Sequence, residues 1–296
     1  MNKPPVHRSG FVNIIGNPNV GKSTLMNALV GEKLSIVTAK AQTTRHRIMG
    51  MVNGDDYQII YSDTPGILRP NYKLQERMMD AVEMAMGDAD IVLYVTDVVE
   101  TGNKNVDYIE KLQRVNVPVL LVLNKIDLSN QQELEQLAAQ WRNLLPNAEL
   151  FPVSALEKFN LNNLFSRIVA LLPPSPPWYD KDVFTDRNLR FFASEIIREK
   201  ILLHYNKEIP YCTEVVIEDF KEDPDLYRIE AVINVMRESQ KGIIIGAKGD
   251  MLKKVGTQAR IDMEAFFDRK VFLQLFVKVA PNWREDKRKL TKFGYN

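Results

Sequence analysis

The chain has 296 residues, 45% of them hydrophobic, and 39 Lys and Arg against 38 Asp and Glu leave a net charge of +1. This length and apolar content suit about two domains with proper cores, and near-neutrality alone points to no nucleic-acid or membrane surface. The single cysteine, Cys212, excludes an internal disulfide and fits a reducing compartment. No apolar run approaches the roughly 20 residues that span a bilayer, and the opening MNKPPVHRSG lacks a signal peptide's apolar core, so a cytoplasmic protein is expected.

Phe11, Val12, Ile14 and Ile15 predict a strand over 11–15, and Leu25, Met26, Ala28 and Leu29 a helix over 22–30. Between them, residues 16–24 read GNPNVGKST, which fits G-x-x-x-x-G-K-[ST] in the strand-to-helix setting where that loop cradles phosphates. Gly16 and Gly21 let successive N–H groups turn inward, and the helix N-terminus adds positive potential. Lys22 is expected to reach the β- and γ-phosphates and Ser23 to ligate Mg²⁺, with Asn17, Asn19, Val20 and Thr24 completing the loop. Strands over 47–52 and 57–62 flank Asn53-Gly54, a hairpin signal and the one antiparallel pair expected. The second strand runs into Asp63-Thr64-Pro65-Gly66. Asp63 can hold the Mg²⁺ shell, and the Gly66 N–H can meet a γ-phosphate. Of Thr43 and Thr44, Thr44 is favoured to close onto Mg²⁺.

Next come a helix over 72–86, a strand over 91–96, a helix over 104–114 and a strand over 117–123 ending in Asn124-Lys125-Ile126-Asp127. The Asp127 carboxylate can accept from guanine N1–H and the 2-amino group. Adenine offers neither donor and would leave a partly buried carboxylate unpaired, a discrimination of about 10⁴-fold or more. Asn124 and Lys125 would brace this loop and cover the base. After a helix over 131–144 and a strand over 149–153, Ser154-Ala155 would point the Ala155 N–H at guanine O6, and a helix over 161–172 closes the unit. Four motifs in this order at strand C-termini select GTP over ATP. The alternation predicts an α/β unit, a mostly parallel sheet with helices on both faces, over 1–172, and with these motifs on its loops it resembles a Ras-like P-loop GTPase fold.

The hydrolytic water lacks an obvious holder. A Ras-like protein has a glutamine directly after the glycine of Asp-x-x-Gly, but here that residue is Ile67. Backbone over 40–44 is expected to take the task, and Arg45 is expected to be solvated rather than an arginine finger. The methionines at 78, 79, 84 and 86 read as packing in the helix beside this loop, and His7, His46 and His204 are too scattered for a metal site.

Pro173-Pro174-Ser175-Pro176-Pro177 cannot continue a helix and reads as a stiff linker over 173–180. Beyond it, over 181–296, the order changes to a helix (188–204), strands over 211–219 and 227–235, a short helix (238–245), a loop, a helix (250–267) and a strand over 271–279. Gly246-Ala247-Lys248-Gly249 between paired helices in an α-β-β-α-α-β order is the plan of a smaller α+β unit, the type II KH domain. In that fold the loop clamps about four single-stranded nucleotides. Cys212 falls in the first of these strands. From Arg237 onward 14 Lys and Arg stand against 7 Asp and Glu, whereas from Pro174 to Met236 the balance is 8 against 13. Such separation presents a basic face to phosphates, with Lys253, Lys254 and Arg260 on the helix after the loop. Arg284, Lys287, Arg288, Lys289 and Lys292 form a basic tail. Trp178 and Trp283 read as packing residues.

Together, GNPNVGKST, Gln42-Thr43-Thr44-Arg45, DTPG, NKID and GIIIGAKG over essentially the whole chain resemble the Era family of bacterial GTPases. The resemblance implies a ribosome-associated GTPase, using GTP/GDP and Mg²⁺, that binds near the 3′ end of 16S rRNA and assists small-subunit maturation. It also implies contact with the inner face of the membrane, which would have to be peripheral here. In related GTPases of this branch an asparagine at the place of Asn19 helps bind K⁺, so K⁺-stimulated turnover is expected. Ala247 departs from the usual loop, but the Gly spacing is kept. The chain is expected to be a monomer. Alternatives are an RNA-modifying or membrane-peripheral signalling GTPase, and an RNA-binding module with weak GTPase activity; the presence of Lys22, Ser23, Asp63 and Asp127 argues against a decayed nucleotide domain.

Overall fold

A computed structural model describes residues 6–100 and 106–295. The first five residues of the opening segment and the predicted helix start at 104–105 lie outside the described residues. The chain divides into two compact units. One holds the described residues up to Ser35, Thr44–Arg69 and Met78–Asp186; the other holds Ile36–Thr43, Pro70–Arg77 and the chain from Arg187 onward.

In the first unit the strands are β1 (Arg8–Gly16), β2 (Ile48–Asn53), β3 (Tyr57–Asp63), β4 (Ile91–Asp97), β5 (Val119–Asn124) and β6 (Glu149–Pro152). They form one sheet in the order β2-β3-β1-β4-β5-β6, parallel throughout except for the β2–β3 hairpin. Every residue of β4 is buried, as expected of a parallel strand covered on both faces, where apolar side chains are needed above and below the sheet. The helices are α1 (Lys22–Val30), α2 (Lys73–Gly87, of which the part up to Arg77 belongs to the other unit), α3 (Val106–Arg114), α4 (Gln131–Leu144) and α5 (Leu161–Leu171). The α4 start is fixed by Asn130, whose side chain accepts from the Glu133 N–H at 3.0 Å. This switching of strand and helix places every β→α loop at the C-terminal edge of the sheet, where ligands of open α/β folds bind. In α2, Met78 and Met79 are buried as expected, but Met84 is 62% exposed.

The proline-rich stretch runs against this sheet. Four of its five residues have no N–H, and the one that does, Ser175, donates to His7 O at 3.1 Å. Pro173 O accepts from Ser9, Gln58 Nε2 donates to Tyr179 O at 2.8 Å, and Met51 N–H donates to Phe184 O. Trp178 leans on Phe11, with ring centroids 5.7 Å apart.

The second unit adds α6 (Leu189–His204), α7 (Ile209–Cys212), β7 (Glu214–Glu222), β8 (Leu226–Val235), α8 (Glu238–Ile245), α9 (Asp250–Phe267), β9 (Lys270–Val279) and α10 (Lys287–Lys292). β7 and β8 pair antiparallel and β8 and β9 parallel; the parallel pair needs the long α8–α9 crossover. Ile197 and Ile201 of α6 and Val255, Ala259 and Met263 of α9 bury against Ile229, Ala231 and Ile233 of β8. The expected strand over 211–219 begins later than the residue pattern suggests. Pro210 starts a helical turn, so Cys212 lies in α7, buried, with its thiol donating to Ile209 O at 3.3 Å. Trp283 is fully buried and donates Nε1–H to Cys212 O at 2.9 Å. No described helix is long and apolar enough to cross a membrane.

Candidate nucleotide site and nucleic-acid groove

The phosphate loop turns where β1 ends. Gly21 sits at φ +97, and an added Cβ there would run into Asn124 Nδ2, so no other residue fits. The Lys22 ammonium, 6% exposed, donates to Asn17 O at 2.8 Å across the mouth of the loop. Burial pushes its pKa down to about 8, against the pull of Asp63 and Glu100. Asn17 Nδ2 in turn donates to the Glu100 carboxylate, which also accepts from Thr96 Oγ1 at 3.0 Å. Val20 is buried, and Asn19 is exposed at φ +66.

Three oxygens converge beside Lys22. Ser23 Oγ donates to Asp63 Oδ2 at 2.7 Å, Thr44 Oγ1 donates to the same oxygen at 3.2 Å, and the two hydroxyls are 2.9 Å apart. Burial raises the Asp63 pKa, while the Ser23 hydrogen bond and the Lys22 charge oppose the rise. Carboxylate and hydroxyl oxygens on a buried floor are a hard donor set that fits Mg²⁺. Thr64 Oγ1 donates to Ile14 O at 2.7 Å and the Ile67 N–H to Gly16 O at 3.0 Å, holding the Asp-Thr-Pro-Gly turn against β1. A Cβ on Gly66 would stand 2.7–2.8 Å from Pro18 Cγ, Cα and N, so glycine there lets two backbone segments touch. Ile67 is buried, as an apolar side chain at that place should be. Arg45 is 1% exposed, so the expectation of a solvated Arg45 is corrected: the chain entering β2 carries it inside. Thr24 follows in the first turn of α1.

Asn124 ties the loops together. Its Nδ2 donates to Val20 O at 2.9 Å, and its Oδ1 accepts the Ala155 N–H at 3.0 Å. Lys125, at φ +60, donates Nζ to Asn19 O at 2.6 Å and pairs with Asp97 at 2.5 Å. The brace expected of Asn124 and Lys125 is thus present, and Asp97 and Glu100 are members that no motif marks. Two details differ from expectation. Asp127 is exposed rather than partly buried. The Ala155 N–H is engaged by Asn124 rather than left open for guanine O6. Ser154 is buried and its Oγ accepts from the Glu157 N–H at 3.1 Å.

In the second unit Gly246 (φ +74), Lys248 (φ +52) and Gly249 (φ +84) make the turn from α8 into α9. Gly246 has its would-be Cβ 2.8 Å from Met251 Cβ, while Ala247 and Lys248 stand exposed. A groove runs on from Gly249 along Leu252, Lys253, Gly256, Thr257 and Arg260, with Leu273 and Leu275 of β9 as its far wall. Lys254 is exposed but does not line it. The spacing of α9 and β9 across this groove is set by Gly256, whose would-be Cβ is 3.2 Å from Leu275 Cδ1. An apolar floor with basic rims beside a Gly-x-x-Gly turn suits single-stranded bases and their phosphates. In the tail, Lys289 Nζ caps Pro281 O at 2.7 Å, and the Arg284 guanidinium lies 4.4 Å over the Tyr72 ring, so not all of the tail's cations face solvent.

Comparison with known proteins agrees with both halves. The family described as a 50S ribosome-binding GTPase matches residues 11–125, and the KH domain family matches 208–284. GTPase Era of Syntrophus aciditrophicus is 49% identical over 98% of this chain and 95% of its own, and that of Clostridium kluyveri is 45% identical over 97% and 99%. Era in complex with MgGDPNP and nucleotides 1506–1542 of 16S ribosomal RNA superposes with a TM-score of 0.94 at 38% identity, over 98% of this chain and 99% of that one. An Aquifex aeolicus Era variant bound to GDP and AlF₄⁻ gives 0.93 at 38% identity, over 97% and 99%. With that likeness over nearly its whole length, the chain belongs to the GTPase Era family.

Proposed function

We propose that this chain is a GTP-binding and GTP-hydrolysing switch that binds the single-stranded 3′ end of 16S rRNA and assists maturation of the small ribosomal subunit. The observation that carries the reading is the tie of the Asn124–Asp127 loop to the phosphate loop through Val20 O and Asn19 O, on a chain that also carries a Gly-x-x-Gly groove. The Era relative captured with MgGDPNP and 16S nucleotides 1506–1542 supports the pairing of ligands.

In this reading Lys22 exchanges Asn17 O for the β- and γ-phosphates, and the N–H groups of 16–24 line the phosphate chain. Ser23, Thr44 and Asp63 hold Mg²⁺, which when bound offsets charge on the phosphoryl oxygens. Gly66 presents its N–H to the γ-phosphate. Asp127 accepts from guanine N1–H and the 2-amino group, and Ser154-Ala155 backs the base through Asn124. Ile67 has no polar atom to orient water, so backbone at 40–44 positions the nucleophile. Asn19 helps hold K⁺ in this reading, and its exposure supports that role. In the groove, Gly246, Ala247, Lys248 and Gly249 take the RNA backbone, and Lys253 and Lys254 add charge. Any contact with the membrane's inner face is peripheral.

The test is multiple-turnover hydrolysis of GTP and ATP by the full chain with Mg²⁺, in K⁺ and in Na⁺ at equal ionic strength. GTP turnover, slow at about 10⁻⁴ to 10⁻² s⁻¹ without a stimulator and faster in K⁺, is the expected result. Turnover of ATP at the GTP rate contradicts the base assignment, and equal rates in K⁺ and Na⁺ contradict the role of Asn19.

A further inference from the structure

The last strand of the second unit, β9, lies at the edge of its sheet, with β8 as its one neighbour among the described residues. The two run in continuous parallel register from Lys270 to Val279. Two hydrogen bonds show which residues of β9 face the open edge. Ala280, directly after the strand, donates its N–H to Val235 O at 2.7 Å, whereas the Val271 N–H turns away from β8 and donates to Glu264 Oε1 at 3.1 Å. In a parallel ladder a residue aims both backbone groups to one side, and its neighbours aim theirs to the other. The even-numbered residues of β9 therefore bond to β8, and Leu273, Leu275 and Val277 present N–H and C=O to the open edge.

The strand reads Lys270-Val271-Phe272-Leu273-Gln274-Leu275-Phe276-Val277-Lys278, the same in both directions about Gln274. A two-fold axis at Gln274, perpendicular to the sheet, would lay β9 of a second copy antiparallel along this edge and bring like residues opposite each other. Leu273 would exchange both backbone hydrogen bonds with Leu275 of the second copy, and Val271 O would accept from its Val277 N–H. Val271, Leu273, Leu275 and Val277 pack towards the core, so Phe272 and Phe276 point to the other face of the sheet, where they are 45% and 49% exposed. Across the axis Phe272 would meet Phe276 of the second copy, and Phe276 its Phe272. Aromatic pairs set opposite one another stabilise antiparallel strands. Because β9 is used on both sides, the contact is isologous and closes at two copies. Lys270 and Lys278 would face each other at the two ends and oppose it, as lysines on edge strands do, which keeps the pairing weak and reversible.

We propose that the open edge of β9 pairs with β9 of a second copy about Gln274, and that this pairing closes the groove to single-stranded RNA. Leu273 and Leu275 wall the groove opposite Gly256. In the pair, the same two leucines of the second copy stand beside them, in the space that bases need. RNA and a second copy then compete for one edge. The exclusion rests on the RNA-binding reading above; the pairing itself does not.

The experiment oxidises full-length Gln274→Cys at about 100 µM chain, because interfaces under about 1,200 Å² tend to be weak and transient. Facing residues of a non-hydrogen-bonded antiparallel pair have Cα atoms about 4.5 Å apart, within the span of a disulfide. The native thiol, Cys212, is buried. A covalent dimer on non-reducing gels is the expected result. Phe272→Cys should give at least about 5-fold less, since its counterpart is displaced by about 13 Å along the strands. Sedimentation of two double variants provides a second measurement: Phe272→Lys with Phe276→Lys, and Phe272→Glu with Phe276→Glu. Each alone should run as a monomer and their equal mixture as a dimer, because like charges then face each other in the first case and opposite charges in the second. Recovery in the mixture also shows that both chains fold. No cross-link at 274, equal cross-linking at 272 and 274, or a mixture no heavier than its components overturns the pairing. An excess of RNA with the 16S 3′-end sequence should lower the Gln274→Cys yield several-fold, and an unchanged yield with RNA bound overturns the exclusion. A wild-type chain that binds no such RNA while position 274 still cross-links fails the RNA reading instead.

Discussion

Replacing Asn124 with Ala tests the brace at the centre of the nucleotide site. Asn124 is 2% exposed, and its amide makes one hydrogen bond to Val20 O and one to the Ala155 N–H. Truncation removes both and leaves a buried carbonyl and a buried N–H without partners, at about 1–3 kcal/mol each. Water entering the space left by the amide recovers part of this, so a net loss of about 2–4 kcal/mol is expected. For a unit of this size that lowers the melting temperature by very roughly 4–16 °C. If the loss falls on the nucleotide-bound state, affinity drops about 30- to 700-fold, at tenfold per 1.4 kcal/mol. The assay is thermal melting alongside fluorescent-GDP titration. Guanine preference over adenine should survive, since Asn124 joins loops and does not read the base. Asn124→Asp keeps the acceptor for Ala155 but sets a carboxylate against Val20 O, so it should be no better than Ala. A variant with wild-type melting and GDP affinity within about threefold would refute the idea that the two loops are held together by this side chain.

Three further outcomes follow from the geometry. Gly66→Ala puts a methyl 2.7–2.8 Å from Pro18 backbone and ring atoms, so it should cost about 1–3 kcal/mol in denaturant unfolding and weaken GTP binding. Unchanged unfolding would mean that the two turns separate freely. Gly256→Ala meets only Leu275 Cδ1 at 3.2 Å and gains helix propensity of about 1 kcal/mol. Stability should hold or rise while single-stranded RNA affinity falls several-fold, and unaltered RNA affinity would place the RNA elsewhere. Inosine triphosphate lacks the 2-amino group, so the wild-type chain should bind it about 10-fold or more weakly than GTP, at roughly 1.5–3 kcal/mol for a hydrogen bond to a charged group. In Asp127→Ala the two should bind alike by calorimetry.

Much of this was legible in the residues because local chemistry and global position coincide. Apolar runs ending in Gly16, Asp63, Asn124 and Ser154 placed the loops on one edge of a parallel sheet, and Asn53-Gly54 marked the antiparallel hairpin. The α-β-β-α-α-β order with Gly246 and Gly249 gave the second unit. What stayed hidden is tertiary. Asp97 ends β4 and Glu100 follows it, with no motif around them, and only the fold brings them to Lys125 and Asn17. Arg45 reads as a surface cation, yet the path into β2 buries it. Pro210 could have signalled the helical turn that takes Cys212 out of the strand, and a glycine inside α9 could have signalled the groove wall at Leu275. Nothing local in 36–43 or 70–77 announces that they pack with residues beyond 187.

The most direct test of the account is binding of a single-stranded RNA with the 16S 3′-end sequence to the full chain, measured with a GTP analogue and with GDP. A scrambled RNA and the Gly246→Asp, Gly249→Asp double variant serve as controls. The account predicts sequence-selective binding, tighter with the GTP analogue, lost in the double variant, and matched by an equal gain in GTP-analogue affinity when RNA is present. Equal binding of the scrambled RNA, or binding that survives in the double variant, would contradict it.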